Sequence, residues 1–295
     1  MSSLQILQPH EKDLGGGFLV RRLLPAAARR AVGPFVFFDH FGPIEARPEE
    51  NHDVRPHPHI GLATVTYLFE GAMLHRDSTG IVQRIEPGAI NWMTAGRGIV
   101  HSERTPDDLR GRTRRSHGLQ LWAALPEADE ASAPSFSHTP AGAIPAFQVG
   151  GAAVRLLIGT AFGQASPVPT HSPTLYLDLS LAVGESLELP GDLARERALY
   201  AVDGGFALDG AAVAAQTMAV LPEGLGVTLS ATQAVRVVLI GGEPLGARFM
   251  WWNFVASRKE AITEAAQAWA VQPNDRFAQV PGEREFIPLP ERRPG

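Results

Sequence analysis

Residues Arg55–Gly71 run RPHPHIGLATVTYLFEG: two histidines one residue apart, then an apolar run that closes on an acid and a glycine. In a strand, residues i and i+2 project from the same face. His57 and His59 therefore point into one space. A second stretch, Met93–Glu103, reads MTAGRGIVHSE and repeats the spacing with His101 and Glu103. If the two segments face each other across a barrel, three imidazoles and a carboxylate converge.

That ligand set suits a divalent first-row ion: iron, manganese, nickel, copper or zinc. Four protein ligands on an octahedral ion leave two positions for small molecules, whereas a tetrahedral zinc site would be closed and less reactive. The chain of 295 residues has no cysteine, so disulfides, thiolate-bound zinc, iron–sulfur clusters and thiol nucleophiles are excluded.

The surroundings read as β structure. Short runs such as LATVTYLF, GLQLWAAL, AVRLLIG, TLYLDLSL and AVRVVLIGG lie between glycine and proline punctuation, with 30 Gly and 24 Pro in all. This pattern predicts an all-β sandwich or barrel. The breaker-rich Glu127–Phe147 reads as an exposed connection. It divides residues 1–135 from a second β domain at 149–270, with 271–295 as a surface tail. The halves echo each other, since TYLFEG at Thr66–Gly71 resembles LYAVDGG at Leu199–Gly205. A helix is expected over KEAITEAAQAWA, with a capping box from Ser257 to Glu260 and Ile262, Ala266 and Trp269 on its apolar stripe.

A net charge of −5 gives no reason to expect nucleic acid. No basic region followed by an apolar core opens the sequence, and no run approaches a membrane span, so the expected location is the cytoplasm. His40, His75 and His117 are candidates for groups around the metal or in its pocket. His10, His52, His138 and His171 lack partner spacing and read as surface or structural. Phe38, Met93, Leu121 and Trp122 are candidates for pocket wall or core. The basic cluster Arg110–Gly118 reads as a solvated loop that could lie at the pocket mouth.

Several motifs taken together resemble the pirin family of the cupin superfamily: FVFFDHFGP at Phe35–Pro43, HPHIGLATVTYLFEG at His57–Gly71, HRDSTG at His75–Gly80, PGAINWMTAGRGIVHSE at Pro87–Glu103, HGLQLW at His117–Trp122 and PTLYLDLSL at Pro173–Leu181. The resemblance implies a bicupin of two antiparallel jelly-roll β-barrels with a C-terminal α-helix. It places one metal in the first barrel, on His57, His59, His101 and Glu103, and Fe(II) as the usual ion. Many cupins carry a glutamate shortly after the His-x-His pair. Ala63 and Thr64 stand there instead, so the carboxylate must come from Glu103.

The second barrel is expected to be scaffold, because aligning Tyr200 with Tyr67 puts Pro190 and Asp192 at the positions of His57 and His59. The resemblance further implies a dioxygenase of the quercetin 2,3-dioxygenase type, acting on a small aromatic enol with Glu103 as general base. The rival expectation is a redox-dependent regulator that binds a transcription factor or a metabolic enzyme.

Overall fold

A computed structural model describes residues 4–15 and 17–291, built mainly of short antiparallel strands with one α-helix at Lys259–Ala270. Contacts divide the chain into two units that are not collinear with it. One holds residues 13–20, 40–138 and everything from 246 onward; the other holds residues up to 12, 21–39 and 139–245.

In the first unit a small sheet has the order Val54–His59, Ile99–Arg104, Met73–Asp77, Val82–Ile85. A larger sheet runs Ser135–Thr139, Ile90–Thr94, Leu62–Glu70, Arg114–Ala124, Phe35–Ala46, the last a strand of which residues 40–46 belong to this unit. Leu62–Leu68 is buried throughout, as a strand covered on both faces must be. In the second unit the small sheet is Ser186–Leu189, Val227–Ser230, Phe206–Leu208, Ala211–Val213. Its larger sheet includes Met218–Val220, Glu196–Asp203, Val235–Gly242 and Thr174–Leu181 in that order.

The connectivity repeats. Count seven strands in chain order from Val54 in one unit and from Ser186 in the other. In both, the first, sixth, third and fourth form the small sheet, and the fifth, second and seventh lie side by side in the large one. This alternation between two facing sheets is the jelly roll. The echo between Thr66–Gly71 and Leu199–Gly205 is its local signature. Each strand ends on a glycine with positive φ, 86° at Gly71 and 74° at Gly204, where side chains are disfavoured.

Four expectations need correction. The unit passage at residues 138/139 lies between the expected domains, but the helix and tail join the first unit and not the second. The reason is packing: Ile262, Ala265, Ala266 and Trp269 bury against Ile60, Val100 and Phe254, and the tail adds Phe277 and Val280. The tail is also pinned, with Ile287 N–H donating to Pro56 O at 2.8 Å and Trp269 Nε1 to Ile287 O at 3.1 Å. It covers the edge strand Val54–His59, which would otherwise present unpaired backbone groups.

The capping box does not form. Arg258 is the N-cap residue without a side-chain bond, and Ser257 instead gives its N–H and hydroxyl to the Glu130 carboxylate. Finally, Glu127–Phe147 is not a bare connection. It contains the strand Ser135–Thr139, which extends the large sheet beside Ile90–Thr94. No helix among the described residues is long and apolar enough to cross a membrane.

Candidate metal centre

Pro56 and Pro58 alternate with His57 and His59. Proline lacks the N–H that a central strand must donate, so it is tolerated at edges and bulges. Val54–His59 is such an edge strand. Its single partner strand, Ile99–Arg104, places His101 directly opposite His57 and Ile99 opposite His59. The two ligand-bearing segments are thus hydrogen-bonded neighbours in one sheet and do not face each other across the barrel. A register shift follows His101, so that Glu103 sits opposite Val54.

The three imidazoles are buried, and their ligand nitrogens all lie within 4.8 Å of one another. His59 Nε2 and His101 Nε2 are 3.1 Å apart. An ion about 2.1 Å from two neighbouring nitrogens at right angles would hold them about 3 Å apart.

Proton placement completes the fit. His57 Nδ1 lies 2.8 Å from Arg55 O, and His59 Nδ1 lies 3.0 Å from Asn253 O. A carbonyl only accepts, so each Nδ1 carries the proton. Burial holds all three imidazoles neutral, pushing His57 down to about 4 and His59 and His101 well below their ordinary value. A neutral imidazole has one N–H. The Nε2 atoms of His57 and His59 are therefore lone pairs, that of His59 turned to His101 Nε2, which is the arrangement a cation requires.

Glu103 is not in this tight group. Its Oε1 accepts a hydrogen bond from Gln120 Nε2 at 3.0 Å, and Gln120 is tied in turn to Thr66 at 2.8 Å. Burial raises its carboxyl to about 7, against the opposing pull of the Gln120 bond. Gln120 belongs to the large sheet, so this bond spans the two layers.

The wall of the site follows from strand alternation. Trp122 lies two residues from Gln120 on the same face, and its ring edge meets His59 at 5.0 Å between centroids. Thr64 is opposite Trp122 and Met93 is opposite Thr64, so all three share that face. Leu121 points to the other face with Val65. Phe38 belongs to the other unit, where its ring meets Tyr200 at 4.9 Å.

The remaining histidines separate cleanly. His75 Nδ1 is 3.4 Å from His101 Nδ1, so His75 adjoins the site. His40 and His117 form a buried pair of their own, Nε2 to Nε2 at 2.7 Å, with Phe69 against His117. His52 stacks on Phe18, His138 bonds Asn91, and His10 and His171 are exposed. In the basic cluster, Arg110 pairs with Asp53, Arg114 with the Arg47 and Glu50 carbonyls, and Arg115 with Glu70.

Sequence reasoning passed over Gln120 and Asp77. Asp77 had a signal, since His75-x-Asp77 carries the same i, i+2 spacing as the two pairs that were recognised.

Comparison with known proteins agrees with this fold. The Pirin family model matches residues 17–123, and the Pirin C-terminal cupin domain model matches residues 176–275. A pirin-like protein of Caulobacter vibrioides is 45% identical over 289 residues, 97% of this chain and 99% of that one. The chain belongs to the pirin family. The crystal structure of a quercetin 2,3-dioxygenase from Acinetobacter baumannii superposes with a TM-score of 0.90 at 34% identity, covering 98% of this chain and 96% of that one. A more distant fold relative, a bacterial pirin from Escherichia coli in complex with nickel(II), reaches 0.64 at 17% identity over 82% of this chain and 99% of its own. The pirin-family bicupin is thus established for this chain.

Proposed function

We propose that this pirin-family chain is a cytoplasmic dioxygenase, with Fe(II) as its ion, that opens a flavonol such as quercetin or a related aromatic enol. One observation carries the reading: three buried imidazoles bring their ligand nitrogens within 4.8 Å of one another, and the strand of His101 also supplies the buried Glu103 carboxyl, which burial raises to about 7. The similarity to the Acinetobacter baumannii dioxygenase supports the substrate class.

A divalent first-row ion on His57, His59 and His101 supplies Lewis acidity toward an enol oxygen and one-electron chemistry toward dioxygen. The chain's own residues do the rest. The three imidazoles would hold such an ion, with His57 and His59 fixed through the carbonyls of Arg55 and Asn253. Glu103 would be a further ligand to such an ion and the base that takes the enol proton, while Gln120 anchors its Oε1. Trp122, Met93 and Thr64 form a flat, largely apolar wall suited to an aromatic ring. Glu103 then returns the proton to the opened product. One flavonol and one dioxygen leave as one ester and one carbon monoxide.

The test is reconstitution of the purified chain with ferrous, manganous, nickel or cupric ion, followed by quercetin and air. Quercetin loss with matching carbon monoxide release, abolished in His101→Ala and Glu103→Ala, supports the reading. A chain that holds one ion and consumes no quercetin with any of the four contradicts it.

A further inference from the structure

We propose that His75 and Asp77 act as positioning residues that fix the tautomer of His101 and thereby raise the affinity of the metal centre. The proposal rests on the reading of His57, His59 and His101 as ligands. It adds two residues which themselves touch neither ion nor substrate.

His101 differs from its two companions. Their Nδ1 protons are fixed by carbonyls, whereas His101 Nδ1 faces another imidazole, His75 Nδ1, at 3.4 Å. Two ring nitrogens form a hydrogen bond only if one carries the proton and the other does not. Which one does is settled at the far side of His75. There Nε2 lies 3.0 Å from Asp77 Oδ2, and a carboxylate oxygen accepts. His75 Nε2 therefore carries a proton, and the tautomer that leaves Nδ1 bare is the one that can accept from His101. With an ion between its Nε2 and the His59 Nε2 that lies 3.1 Å away, His101 donates from Nδ1, and its Nε2 is the third lone pair aimed at that ion. The chain runs Asp77, His75, His101, with one proton between each pair.

The arrangement has little slack. Asp77 is fully buried, and its other oxygen, Oδ1, accepts from Thr79 N–H at 2.8 Å, Thr79 Oγ1 at 2.6 Å and Ile81 N–H at 3.2 Å. The carboxylate is thus nailed to the turn that follows it. His75 is buried, with the Phe136 ring stacked on it at 4.5 Å and 22°. The backbone agrees: Met73–Asp77 is the strand on the far side of Ile99–Arg104, with Asp77 opposite His101 and His75 opposite Glu103. Losing an outer partner of a metal-bound histidine typically costs about 10- to 100-fold in metal affinity.

Two substitutions separate this role from simple packing. Asparagine places its amide oxygen near the position of a histidine Nδ1, and glutamine places its amide near Nε2. His75→Asn keeps an acceptor for His101 and loses Asp77, while His75→Gln keeps the contact with Asp77 and loses His101. Metal affinity is measured by chelator competition on wild type, both variants and His101→Ala. Thermal unfolding of the metal-free proteins serves as the folding control, and imidazole nitrogen NMR of the zinc-loaded wild type reads the tautomers.

The expected result is one ion per wild-type chain, loss in His101→Ala, about 10- to 100-fold weaker binding in His75→Gln, and near wild-type binding in His75→Asn. NMR should show the His101 proton on Nδ1 and a His75 proton on Nε2 with its Nδ1 bare. Wild-type affinity in His75→Gln, equal losses in both His75 variants, or a His75 proton on Nδ1 overturns the proposal while leaving the ligand reading intact. A wild-type chain that takes up no ion overturns the ligand reading, and the positioning role with it.

Discussion

Leu187 faces Leu229 in the second unit at the register position where His57 faces His101 in the first. Leu189 follows two residues later, opposite Val227, as His59 follows opposite Ile99. The strands are equivalent by order in their sheets. The same geometry that aims three imidazoles at a point in one jelly roll aims three leucines into the hydrophobic core of the other. The second unit keeps the framework and carries apolar side chains where the first has the three histidines, so its contribution is packing.

This contrast predicts a stoichiometry. Elemental analysis of the fully loaded chain should find one transition-metal ion, and two would contradict the assignment of the leucine cluster. Leu187→Ala should destabilise the protein by about 2–5 kcal/mol in denaturant unfolding, as truncation in a closed core does. It should leave metal content unchanged.

The split between Trp122 and Leu121 gives a second expectation. These neighbours point to opposite faces of the large sheet, and only Trp122 touches a ligand histidine. Trp122→Ala should raise KM by roughly two- to tenfold, corresponding to about 0.5–1.5 kcal/mol of lost ring contact. Leu121→Ala should leave kcat/KM close to wild type and lower the unfolding free energy by about 2–5 kcal/mol. Steady-state kinetics and equilibrium unfolding on both variants check the pair. Reversed behaviour would mean that the pocket lies on the other face.

The tail provides a pH expectation. Ser102 Oγ donates to Glu283 at 2.7 Å, and Arg104 pairs with Glu283 and Glu285. Burial alone would push the Glu283 carboxyl up, but the bonds from Arg104 and Ser102 outweigh it and hold it below the ordinary value. A carboxyl lowered in the folded state contributes stability above its unfolded pKa, about 4.3, and loses it as pH falls through the folded value. Glu283→Gln should therefore cost about 1–2 kcal/mol at pH 7 and progressively less below pH 4, with faster amide exchange over residues 280–287. A constant difference across that range would contradict the ion pair's role.

The histidine group was legible because i, i+2 spacing is a local property: His57 shares a face with His59, and His101 with Glu103, without knowledge of any partner strand. The all-β class was legible for a similar reason, since strand runs and turn residues are local. What depended on distant pairing was not. His101 lies beside His57 because their strands are neighbours, a fact no spacing carries. The second unit's equivalents were misplaced at Pro190 and Asp192, because counting back from Tyr200 crosses a longer connection. Pro190–Arg195 separates those strands where Ile60–Gly61 suffices in the first unit. Arg197 organises that longer loop by donating to the carbonyls of Pro190, Pro222 and Leu225. Ser257 was read as a cap, but Glu130, a residue remote in sequence, takes both of its donors.

X-ray absorption on the chain loaded with one equivalent of Fe(II) tests the metal centre most directly. The account predicts three imidazole nitrogens at about 2.0–2.2 Å, with oxygen donors filling the remaining positions. Loss of imidazole scattering in His101→Ala should accompany this. A spectrum of oxygen donors alone, or one unchanged by that substitution, would contradict it.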